Sequence, residues 1–100
     1  MSEQAIPDPK PRYRWRHTWP DKGDDFMGFD GDRKIGRIYR AAWSPDGGAW
    51  CWYWQADGPD IDRRYSGSAG TVKTARLAAK VIEDLYDRAK VGASLLDRLA

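Results

Sequence analysis

Between residues 12 and 19 the chain alternates. Tyr13, Trp15, His17 and Trp19 fall on one side, and Arg14, Arg16 and Thr18 on the other. This is the period-two signature of a half-buried strand, and Pro20 ends it, having no proton to give a ladder. Residues 21–25 predict an acidic loop. Phe26, Met27, Gly28 and Phe29, ahead of Asp30, Gly31 and Asp32, predict a short apolar element of unassigned type meeting a turn. Residues 35–43 and 49–57 read as strands joined through the turn chemistry of residues 44–48. Gly58, Pro59 and Asp60 predict a second turn, and residues 61–66 a third strand of an antiparallel meander. The glycines of residues 67–70 break that pattern. Thr71 then reads as the N-cap of a helix over residues 72–90, with Ala75, Ala78, Ile82, Leu85, Tyr86 and Ala89 on one buried stripe. Gly92 fits a helix stop, and Ser94 to Asp97 fit a short final helix laying Leu95, Leu96 and Leu99 on the body.

The expected fold is therefore α+β: a three- to four-stranded antiparallel sheet with one long C-terminal helix packed on one face and a possible short final helix. Residues 1–11, with Pro7, Pro9 and Pro11, predict a disordered N-terminal tail, and residues 12–100 a single domain.

One helix covers only one face of a sheet, so the other is left to water or a partner. A hairpin loop at residues 44–48 sets Trp50 opposite Ala42, Trp52 opposite Arg40 and Trp54 opposite Ile38. The three tryptophans then share a face with Ile38, Ala56, Ile61 and Tyr65, read as the core under the helix. The competing reading is an exposed stacking platform, as in single-strand binders. The opposite, open face collects Arg37, Tyr39, Cys51, Tyr53, Gln55, Asp62 and Arg64. A slip of one residue would exchange the two faces.

Composition narrows the chemistry. The chain has 100 residues, 41% of them hydrophobic, and no apolar run approaches the ~20 residues that span a bilayer. The first residues lack the basic and apolar regions of a signal peptide, which predicts a cytoplasmic protein. One cysteine, Cys51, and one histidine, His17, cannot make an internal disulfide or a Cys/His zinc cage, and no Cys/His catalytic arrangement is expected. The net charge of +2 does not by itself imply nucleic acid, because electrostatic binding depends on clustering.

Two clusters remain. Lys10, Arg12, Arg14 and Arg16 stand in a stretch without an acid, and on a strand Arg12, Arg14 and Arg16 project to one side at about 6 to 7 Å spacing. That spacing suits successive phosphates, and it equally suits the solvated side of an edge strand. On the open face Arg37, Tyr39, Tyr53, Gln55 and Arg64 are either an interface or ordinary cross-strand pairs. Asp30-Gly31-Asp32 lacks the ligand spacing of a calcium loop, and residues 67–71 lack the lysine of a phosphate loop. No metal or cofactor is expected.

The segment Ile35-Gly36-Arg37-Ile38-Tyr39-Arg40, then Trp50-Cys51-Trp52, then the helix entry at residues 67–71 resembles small bacterial proteins of no assigned activity over roughly residues 26–90. In architecture the meander with its helix is similar to the AP2-type and integrase arm-type DNA-binding domains, which lay a sheet into the major groove. That resemblance implies contacts from Arg37, Tyr39, Tyr53, Gln55 and Arg64. The expected function is non-catalytic binding of DNA or RNA through Arg12, Arg14, Arg16 and the open sheet face. The alternative is a protein-interaction module, a small inhibitor or accessory factor of mobile-element origin, using the same surface. No membrane contact is expected, and the chain is expected to be a monomer or weak dimer.

Overall fold

The alternation carries through to a five-stranded antiparallel sheet in the computed structural model, which describes residues 10–21, 23–41 and 48–90. In chain order the described elements are β1 (Arg14–His17), β2 (Asp25–Asp30), β3 (Arg33–Arg40), β4 (Trp50–Trp54), one 3-10 turn (Arg63–Tyr65), β5 (Ala69–Val72) and α1 (Ala75–Ala89). Each strand lies beside its predecessor, so the sheet order is β1-β2-β3-β4-β5 and the protein is α+β. The turn between β2 and β3 has a positive φ at Gly31 alone, the II′ pattern that suits strand twist.

The helix forms where predicted but starts three residues later. Thr71 is paired with Cys51 in the β4–β5 ladder. Thr74 is the cap instead, its Oγ1 accepting from Leu77 N at 3.1 Å. Ala78, Ala79, Ile82, Tyr86 and Ala89 bury one stripe of α1 against Ile35, Ile38, Trp54, Ala56 and Ile61. The tryptophan stripe does face the helix. Its register differs: Trp52 lies opposite Ile38, Trp50 opposite Arg40 and Trp54 opposite Gly36. The displacement is two residues, a whole side-chain period, so no residue changes face. Only Trp54 is fully in the core, while Trp50 and Trp52 pack against it half-buried.

Two further expectations are corrected. The apolar element of residues 26–29 is the middle of β2, which lengthens the meander from three or four strands to five. Residues 61–66 are no strand: the Asp62 carboxylate accepts from Arg64 N at 2.9 Å and curls the segment into the 3-10 turn. The place beside β4 goes to β5, whose Gly70 lies under the ring of its partner Trp52. In β3, Gly36 pairs with Gly28 but Lys34 with Phe29, leaving Ile35 as the extra residue of a bulge. The bulge lets Ile35 and Gly36 both be buried. Residues 44–47 of the expected loop at 44–48, residues 1–9 of the expected tail at 1–11, and the expected final helix from Ser94 lie outside the described residues.

Candidate functional site

A carbon added at Gly36 would strike Ile82 of α1, so Gly36 and its cross-strand partners look toward the helix and the alternate positions look away. No described element packs on that second face. Its strand positions form three cross-strand rows. Arg14, Phe29 and Lys34 make the first; Arg16, Met27, Arg37, Tyr53 and Ala69 the second; Asp25, Tyr39, Cys51 and Thr71 the third.

Charge is unevenly divided. The bare face carries four cations, Arg14, Arg16, Lys34 and Arg37, against one carboxylate, Asp25. Arg37 spends its charge there: Nε donates to Asp25 Oδ1 at 2.8 Å, Nη2 to Oδ2, and Nη1 to Tyr53 OH at 3.0 Å. The Asp25 bonds raise the Arg37 pKa further above its ordinary value. Its guanidinium also lies 5.2 Å from the Tyr39 ring centroid. Tyr39 meets Tyr53 edge to face, and a hydrogen bond with Cys51 together with burial raises its pKa. Arg14 and Arg16 lie against the Phe29 ring, at 5.5 and 5.4 Å from its centroid. Among the described residues neither Arg16 nor Lys34 has a carboxylate partner, and Arg14 makes one 3.4 Å contact, to Gly31 O.

The acids sit elsewhere. Tyr86 OH donates to Asp30 Oδ2, Arg33 Nη2 binds both oxygens of Asp60 at 2.9 Å, and Tyr13 OH donates to Asp87 Oδ1 at 2.6 Å. These groups clamp the C-terminal end of α1 on the helix side. Lys90 closes the clamp, with Nζ 4.5 Å from the Tyr86 ring centroid. Burial, then Asp30, push the Tyr86 hydroxyl up to about 12.

The expected site residues therefore separate. Arg14, Arg16, Arg37, Tyr39 and Tyr53 share the bare face. Arg12 does not: its Nη2 reaches Asp84 and Asp87, each at 2.9 Å, on α1. Arg64 leaves with the 3-10 turn, its side chain 86% exposed and paired to Asp62. Gln55 lies one residue past β4, its Oε1 buried with no partner among the described residues. Lys34, which the sequence puts near the rim of the open face, belongs to it, and so does Phe29, which the sequence does not single out. The turn at Gly31 hinted at a hairpin that would bring them together, but the bulge at Ile35 hides the pairing.

Among the described residues no three His, Cys, Asp or Glu side chains are grouped to hold a metal ion, and no helix is long and apolar enough to cross a membrane. A cleft of about 770 Å³ lies between the loop of residues 56–59 and Ile61, Arg63 and Ser66. It carries one cation, Arg63, and one carboxylate, Asp57. No protein-family model, curated protein or solved structure matches the chain.

Proposed function

We propose that the protein is a non-catalytic nucleic-acid-binding domain whose interface is the bare sheet face. Arg14, Arg16 and Lys34 meet phosphates, and Phe29, Tyr39 and Tyr53 supply surface for bases. The observation that carries this reading is the segregation of charge: a chain of net charge +2 places four cations and one carboxylate at the strand positions of one uncovered face. A local cluster of this kind, not the total, governs attraction to a polyanion. Arg37, bound to Asp25, positions the rings of Tyr39 and Tyr53 and contributes little free charge.

Replacing Arg14 and Arg16 together by Glu tests it. Both side chains are exposed on β1, so the fold should survive. Affinity for a mixed-sequence oligonucleotide in low salt is expected to fall at least tenfold, with an unchanged circular dichroism spectrum. Unchanged affinity contradicts the proposal. One observation favours a protein partner as second reading: Trp19, just past β1, is 48% exposed. Under that reading a complex would persist in high salt.

A further inference from the structure

The geometry points to a single strand, not a duplex, as the nucleic acid this face takes. The inference rests on the interface proposed above and narrows its ligand. Among the described residues the cations of the face that lack a carboxylate partner are Arg14, Arg16 and Lys34, and they crowd one corner around Phe29. Arg14 and Arg16 are two residues apart on β1, about 7 Å, and Lys34 stands two strands from Arg14, about 10 Å. That corner reaches two or three phosphates. Duplex binding that does not read bases draws its affinity from phosphate contacts alone, and strong cases use about six to ten.

Shape opposes the duplex as well. Five strands at about 4.8 Å spacing make a sheet about 19 Å wide, against a major groove about 12 Å wide. The sheet cannot enter flat, and no described helix projects from this face.

The rings complete the argument. Phe29 on β2 and Tyr53 on β4 lie two strands and two residues apart, about 12 Å, and the Arg37 guanidinium stands beside Tyr53 and against Tyr39, where it also binds Asp25. Unpaired bases can stack on rings and on guanidinium planes, whereas bases inside a duplex present only their edges. The assigned ligand is a single strand running across the sheet. Its phosphates lie on the Arg14, Arg16 and Lys34 corner and two or three bases lie toward Tyr53.

The test is fluorescence anisotropy of the full chain with a labelled 12-nucleotide single strand and with its duplex, over a range of salt. The single strand is expected to bind at least tenfold more tightly. The slope of log affinity against log salt should be about −2, from three phosphates at ~0.7 each. Phe29→Leu, which keeps apolar bulk but removes the ring, should weaken single-strand binding about fivefold without changing that slope. Duplex binding as tight as the single strand, or no effect of Phe29→Leu, overturns this inference and leaves the interface standing. No binding of either ligand in low salt overturns the interface and this inference with it.

Discussion

Trp15 Nε1 donates a hydrogen bond to Glu83 Oε2 at 2.9 Å, tying β1 to α1 across 68 residues of chain. The same carboxylate accepts Tyr13 N at 2.9 Å and Arg12 N at 3.0 Å, and Glu83 is 1% exposed. A carboxylate so deeply buried is tolerated because donors surround it. The anchor has a functional consequence. With Trp15 held toward the helix, strand alternation turns Arg14 and Arg16 to the bare face.

Glu83→Ala leaves three N–H donors without their acceptor. At about 1 to 3 kcal/mol for each buried unsatisfied group, partly relieved by water, a loss of about 3 kcal/mol is expected. Urea denaturation measures it. A loss under about 0.5 kcal/mol would mean that β1 is held by something other than this carboxylate.

Gly36 sits where β3 meets α1. A Cβ there would lie 2.7 Å from Ile82 Cδ1 and 2.9 Å from the Tyr53 carbonyl oxygen, so either the helix or the neighbouring strand must move. Gly36→Ala should cost about 1 to 3 kcal/mol through overpacking. Adding Ile82→Val, which removes the Cδ1 atom, should return part of that loss. Strictly additive losses in the double mutant would contradict the close approach.

Alkaline pH should unfold the protein through two tyrosines. Burial, then Asp87, raise the Tyr13 pKa, and burial, then Asp30, raise that of Tyr86 to about 12. Because both are raised, the folded state holds these protons more tightly than the unfolded chain. The stability they contribute is complete below about pH 10, where a free tyrosine ionises, and is lost as pH climbs toward about 12. Denaturation midpoints should fall over that interval and flatten in Tyr86→Phe. Ultraviolet titration should show Tyr13 and Tyr86 ionising later than a free tyrosine, and Tyr86→Phe should remove one of these late steps. All five tyrosines ionising together near pH 10 while the protein stays folded would refute the assignment.

Much of the fold is legible in particular residues. Trp50, Trp52 and Trp54 repeat every second position, so an error of two in register left them facing the helix. The glycine-bearing strands were harder. Gly28 and Gly70 interrupt the apolar pattern of β2 and β5, yet each lies under the ring of a cross-strand tryptophan, Trp15 and Trp52. A Gly that makes room for a ring looks, in sequence, like a Gly that makes a turn. Ile61 and Tyr65 share strand parity, but the Asp62 carboxylate, accepting from Arg64 N, and the Asp62 N–H, donating to Ala89 O, turn that segment away from the sheet. For the site, the even spacing of Arg12, Arg14 and Arg16 suggested one line of cations. Arg12 departs because Asp84 and Asp87, more than seventy residues on, lie one helical turn apart on the facing helix. Long-range partners of that kind leave no local pattern.

The central claim is that the bare sheet face, and not the helix side, meets nucleic acid. An NMR titration of labelled protein with a mixed-sequence single-stranded oligonucleotide in low salt tests it most directly. Shifts concentrated at Arg14, Arg16, Phe29, Lys34, Tyr39 and Tyr53, fading as salt is raised, are the predicted result. Shifts centred instead on the exposed positions of α1, such as Arg76 and Arg88, or none at any ratio, would contradict it.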